Sequence, residues 1–172
     1  MAFVAAAEAG MFAAAALRSA GKTDQYAELA GQAAALLAGE RDRIANAANF
    51  ASLVWHALPS INWCGFYFYD GEELVVGPFQ GRPACVRIAL GKGVCGTAAA
   101  ERKTQVVADV DAFAGHIACD SASRSEIVVP LVDGHRLIGV WDVDSPELAR
   151  FDDEDRAGMQ RLCEIYVASL RG

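Results

Sequence analysis

The chain has 172 residues, of which 53% are hydrophobic and 22% charged; that is enough apolar material for one packed domain and excludes wholesale disorder. The formal net charge of −7 argues against a nucleic-acid surface, which needs clustered Lys and Arg, and agrees with a substrate that presents a cation, such as an amine. Five cysteines, an odd number with no CxxC pair, fit an extracellular disulfide framework poorly and suit reduced, reactive thiols in the cytosol.

Residues 1–20 (MAFVAAAEAGMFAAAALRSA) are Ala-rich, but Glu8 interrupts the apolar run and no Lys or Arg precedes it. Neither a secretory signal nor a membrane span is expected. They read as a non-catalytic extension, at most a frayed helix with Met11 as an alternative start, ahead of one domain over 21–172. A helix is predicted from Thr23, with Tyr26, Leu29, Ala33, Leu36 and Leu37 at helical spacing and Gly39 as its stop. A second helix places Ile44, Ala48, Ala51, Val54 and Leu58 on one stripe and closes at Pro59. The two form an amphipathic pair with an Ala-rich contact face, which suits close helix approach and a dimer interface.

Residues 62–69 (NWCGFYFY) are aromatic and strand-like, and Asp70-Gly71 signals a two-residue hairpin. Residues 74–80 form the return strand, and 82–90 alternate around Cys85, Val86 and Ile88 as a third strand. Gly91-Lys92-Gly93 breaks that run; 94–101 reads as a short helix and 104–107 as a short strand. Residues 109–125 show no period, and so long a loop in a compact domain is usually functional. Strands at 126–132 and 137–144 follow, joined by an Asp133-Gly134 turn. Asp152 opens a last helix with an acidic first turn, favoured by the helix dipole, and Met159, Leu162, Cys163 and Tyr166 form its buried face. The order describes one α/β (α+β) domain on a largely antiparallel sheet.

Three thiols sit where the backbone is irregular: Cys85 in a strand beyond Gly81-Arg82-Pro83, Cys95 at the start of a helix, and Cys119 in the long loop within GHIACD. A helix N-terminus lowers a thiol's pKa and a loop gives access. Cys64 and Cys163 read as buried, inert thiols. His116, three residues before Cys119, is either a base for that thiol or an ordinary loop histidine; His56 and His135 attract no role. Asp142 and Asp144 bracket Val143, so their side chains share one sheet face, and Glu126 opens the neighbouring apolar run. Carboxylates so placed reach water, share a proton, or hold a cation such as an ammonium group.

The stretches INWCGFYFYDGEELVVGPFQGRPACVRI, GKGVCGTAAAERKTQVVADV, GHIACDSASRSEIVVPL and GVWDVDSPELARFDDED resemble the free methionine-(R)-sulfoxide reductase family, enzymes built on a single GAF domain, over roughly residues 24–168. The resemblance implies a six-stranded antiparallel sheet with helices on one face and a loop-enclosed pocket on the other, and a homodimer. It implies Cys119 as the catalytic thiol, Cys85 as the resolving thiol and Cys95 as an alternative or additional resolver. It further implies Trp63 and Tyr67 as pocket aromatics, and Glu126, Asp142 and Asp144 as pocket carboxylates. Cys64 stands where relatives tend to carry an apolar residue.

On that reading Cys119 attacks the sulfoxide sulfur of free methionine-(R)-sulfoxide, becomes a sulfenic acid and condenses with Cys85 to a disulfide. Thioredoxin then reduces the disulfide. No bound cofactor and no metal are needed, and neither nucleic acid nor membrane is a partner. A cytoplasmic enzyme of oxidative stress is expected. The main rival is a non-catalytic GAF module that senses a small molecule or redox state, although sensors ordinarily sit beside an output domain. A structural zinc site from Cys85, Cys95, Cys119 and His116 is a weaker rival, because the spacings are long.

Overall fold

Period-two alternation in WCGFYFY sets the plan of the molecule. In the computed structural model, which describes residue 12 and residues 14–115 and 121–171, this run is strand β1 (Trp63–Tyr69). Cys64, Phe66 and Phe68 point to one face of the sheet and join one core, while Trp63 and Tyr67 join a second core on the other face. Successive side chains of a strand point oppositely, so an aromatic strand buried on both sides belongs in the middle of a sheet. There it lies, hydrogen-bonded on one side to β2 (Glu73–Gly81) and on the other to β6 (Arg136–Ser145). With β3 (Arg87–Ala89), β4 (Gln105–Val107) and β5 (Ser125–Asp133), the antiparallel order is β3-β2-β1-β6-β5-β4. The expected six-stranded antiparallel sheet is therefore present.

Three helices, α1 (Lys22–Leu36), α2 (Arg43–Ala57) and α4 (Asp153–Ser169), supply the larger core. Phe50 of α2 packs edge-on against Phe66 of β1 and Trp141 of β6. A short helix, α3 (Gly93–Glu101), lies on the opposite face with Val94, Cys95, Ala98 and Ala99 in the second core. Asp42 caps α2 by accepting from the Ile44 and Ala45 amides, and Asp152 and Asp155 form a reciprocal capping box on α4.

The stripe expected on α2 is corrected at its start. Ile44 is 47% exposed and Ala48 is exposed too, whereas Ala47 and Phe50 are buried; the large Phe50 ring sets which face turns inward. Nor is the α1 contact face chiefly for α2. Tyr26 of α1 lies over Gly158 of α4, so closely that a Cβ there would overlap the tyrosine ring. Tyr26 OH donates to the buried Asp155, which also pairs with Lys22 at 2.7 Å and Arg150 at 3.2 Å. Residues 14–19 are not helical; Ala15 is bonded to Gln32, and Ser19 to Glu28, so this strip of chain lies along α1.

Both turns differ in detail from expectation. After β1 the loop covers residues 70–72, because the Asp70 carboxylate accepts from the amides of Glu72 and Glu73 and winds an extra residue into the turn. The second two-residue turn is Gly134-His135, since Asp133 still pairs with Arg136. The third strand shrinks to Arg87–Ala89: Pro83 has no N–H to offer a ladder, so Cys85 lies in an irregular connection and not in a strand. No helix among the described residues is long and apolar enough to cross a membrane.

Candidate active site

Strand register builds the site. Trp63 of β1 stands opposite Asp144 of β6, which stands opposite Glu126 of β5, in one row across the sheet. Two residues along β6, Asp142 stands between Gly65 and Val128. The i, i+2 spacing of Asp142 and Asp144 thus puts both on the pocket face, as read from sequence. Helix α3 brings Cys95 down onto them: its thiol donates to Glu126 Oε1 at 3.9 Å. One ligand atom each from Cys95, Glu126 and Asp142 lies within 4.8 Å of the others.

Aromatic rings form the opposite wall. Trp63 stacks on Tyr67 and Phe79 at centroid distances of 5.8 and 5.3 Å, and its indole N–H donates to the Arg82 carbonyl at 3.1 Å. Position 65 must be glycine for this to happen, because a Cβ there would overlap Phe79 and touch the Trp63 ring. Trp63, Tyr67, Cys95, Glu126, Asp142 and Asp144 together line a pocket with about 520 Å³ of space not filled by protein atoms, its open mouth included.

Burial governs the electrostatics. Cys95, Glu126 and Asp142 are only 4–6% exposed. Loss of water, followed by repulsion from Asp142 and Asp144, pushes the Glu126 carboxyl well above the usual carboxylate range. Loss of water likewise pushes Asp142 up to about 7, against hydrogen bonds from Cys95 and Glu126 that pull it down. Buried carboxyls side by side retain a proton at neutral pH, and Asp142 Oδ1 is a buried acceptor with no hydrogen-bond partner among the described residues. The expectation that a helix start would ionise Cys95 is corrected. The thiol does sit in the first turn of α3, but burial and the facing carboxylates push its pKa well above normal, outweighing the dipole.

Of the thiols singled out from sequence, Cys119 lies outside the described residues, as does His116. Cys85 is half-buried and disulfide-bonded, next to Pro83 and Ala84 on the pocket wall. A disulfide sulfur is no thiolate ligand, which removes Cys85 from the zinc set considered above. Cys64 and Cys163 are buried free thiols in the helix-side core, as expected, and Cys64 donates to the Ala51 carbonyl at 3.5 Å. Sequence reading missed Ile88, Lys92 and Ser123 in the lining. Lys92 carried a signal, since it sits between two glycines at a helix start; the isolated serine carried none.

Comparison with known proteins agrees with this geometry. The GAF domain family matches residues 42–170. The free methionine-R-sulfoxide reductase of Escherichia coli is 52% identical over 141 residues, 82% of this chain and 86% of that protein. The chain belongs to the free methionine-R-sulfoxide reductase family. A crystal structure of the family's enzyme from Neisseria meningitidis in complex with its substrate superposes with a TM-score of 0.89 at 45% identity, covering 93% of this chain and 96% of that one. A Burkholderia vietnamiensis chain provisionally named a GAF sensor protein is 66% identical with a TM-score of 0.86, covering 89% of this chain and all of that one.

Proposed function

We propose that the protein reduces free L-methionine-(R)-sulfoxide to methionine. The observation that carries this reading is the row Trp63–Asp144–Glu126, with Asp142 and Cys95 beside it, in one small pocket. An apolar wall suits the S-methyl group, and carboxylates suit the ammonium of a free amino acid. Sulfoxide oxygen leaves only when protonated, and burial together with repulsion from Asp142 and Asp144 keeps a proton on Glu126 at neutral pH. Glu126 and Asp144 serve the oxygen side, Asp142 helps to hold the ammonium, and Trp63 and Tyr67 pack the methyl group and choose the epimer.

The Cys119 thiolate attacks the sulfoxide sulfur while a pocket acid protonates the oxygen; methionine leaves and Cys119 carries the hydroxyl as a sulfenic acid. The Cys85 thiol then attacks that sulfur, expelling water and forming a disulfide. That Cys85 is the one described cysteine already oxidised, while Cys64, Cys95 and Cys163 are free, supports it as the resolver. The protonated, buried state of Cys95 favours a secondary role for that thiol. Thioredoxin returns both sulfurs to thiols, so the electrons come from an external dithiol and no bound cofactor is required. Residues 21–172 act as the catalytic unit, in a cytoplasmic homodimer, with residues 1–20 outside the chemistry.

Single-turnover methionine release tests the assignment. Cys119→Ser abolishes it, while Cys85→Ser releases one equivalent of methionine and then recycles slowly with thioredoxin. Normal recycling in Cys85→Ser would move the resolver role to Cys95.

A further inference from the structure

The group formed by Cys95, Glu126 and Asp142 differs from an ordinary acidic cluster in two ways. It combines one sulfur with two carboxylates, donor atoms within 4.8 Å of one another, each residue more than nine-tenths buried. Asp142 Oδ1, moreover, is sealed from solvent and accepts no hydrogen bond from the described residues. We infer that Cys95, Glu126 and Asp142 form a binding site for a thiophilic divalent cation, Zn²⁺ or Cd²⁺, whose occupation excludes methionine sulfoxide from the same pocket.

The exclusion rests on the proposed function, because the same carboxyls are assigned to the substrate there. Sulfur beside carboxylate oxygen selects zinc or cadmium over magnesium and calcium, which take oxygen alone. Bond lengths of about 2.3 Å to sulfur and 2.0–2.2 Å to oxygen hold tetrahedral donors about 3.5 Å apart, so the group closes by about 1 Å through side-chain rotation. Three protein ligands leave a fourth position toward the pocket, for water. On binding, the thiol and any protonated carboxyl release their protons to solvent, and a thiolate with two carboxylates neutralises the dication with one negative charge over. Lys92, the one cation among the described pocket-lining residues, offsets that remaining charge. The cation is an inhibitor and takes no part in the sulfoxide chemistry.

Oxidised protein isolates the site, because Cys85 is then in its disulfide and the free Cys64 and Cys163 lie in the helix-side core, across the sheet from the pocket. Cadmium titrated into it is expected to bind once per chain with a thiolate-to-cadmium charge-transfer absorption. Cys95→Ser removes the band, Asp142→Asn weakens affinity by about tenfold or more, and Cys163→Ser leaves it intact. Zinc displaces the cadmium, and methionine sulfoxide raises the apparent Kd by roughly the ratio of its concentration to its own Kd. The inference is overturned if no band develops, if the band survives Cys95→Ser, or if saturating sulfoxide leaves cadmium affinity unchanged in a protein whose reduced, metal-free form turns that sulfoxide over. Cadmium bound through Cys95 in a protein that reduces no sulfoxide would leave the cation site standing and sink the functional reading instead.

Discussion

Folding takes Glu126 and Asp142 out of water next to each other, and the penalty on their charged forms has a testable sign. The folded-state pKa of Asp142, about 7, lies above its ordinary value near 4. Between those values the native state binds the extra proton, so stability is fully present below the ordinary value and declines as pH rises through about 7. Asp142→Asn removes that decline. Its melting temperature relative to the parent is expected to be higher at pH 8 than at pH 5, by about 2–4 °C for each kcal/mol relieved; an equal difference at both pH values would contradict the raised pKa. The catalytic counterpart is a kcat that falls on the alkaline side as Glu126, whose carboxyl is held well above the usual carboxylate range by burial and by repulsion from Asp142 and Asp144, loses its proton. Glu126→Gln is expected to lower kcat by about 10²-fold or more, measured by methionine release. The shared face of Asp142 and Asp144 was legible in sequence because a strand's period is fixed. The protonation state of Cys95 was not, because it depends on α3 crossing β5 and β6, a tertiary placement no local spacing encodes.

At the scale of elements, the site depends on the fit of β1 against β2. Gly65→Ala drives a methyl group into Phe79 and the Trp63 ring; the expected loss is about 1–3 kcal/mol of stability together with a raised KM, read from denaturant midpoints and initial rates. Gly158→Ala separates α1 from α4 at Tyr26, on the far side of the sheet. It is expected to lower stability similarly while leaving KM unchanged in the protein that remains folded, which separates packing from site geometry. Long elements with strong patterning, β1, β5, β6 and α4, were legible nearly to their ends. The misread ones have separate causes: Pro83 withheld a hydrogen bond from the third strand, and one buried phenylalanine outvoted two exposed apolar positions on α2. The ion cluster around Asp155 was invisible for another reason. In sequence its carboxylate is one of several acidic residues in a helix's first turn, and only the approach of Lys22, Tyr26 and Arg150 distinguishes it.

For the whole molecule, one sheet keeps two cores apart. The helix-side core supplies the bulk of the apolar burial, which leaves the other face free to hold a pocket whose polar groups would weaken a core that had to stabilise the fold alone. Carboxyls lining the pocket suit the ammonium group of a free amino acid, which a peptide-bound methionine lacks. The central claim is therefore tested most directly by turnover of free R- and S-methionine sulfoxide beside N-acetyl-methionine-(R)-sulfoxide, with thioredoxin as reductant. Rapid reduction of the free R epimer, with little of the S epimer and little of the acetylated compound, is the predicted result. Equal turnover of the free and N-acetylated R epimers would contradict it, because the carboxyls could not then be reading an ammonium group.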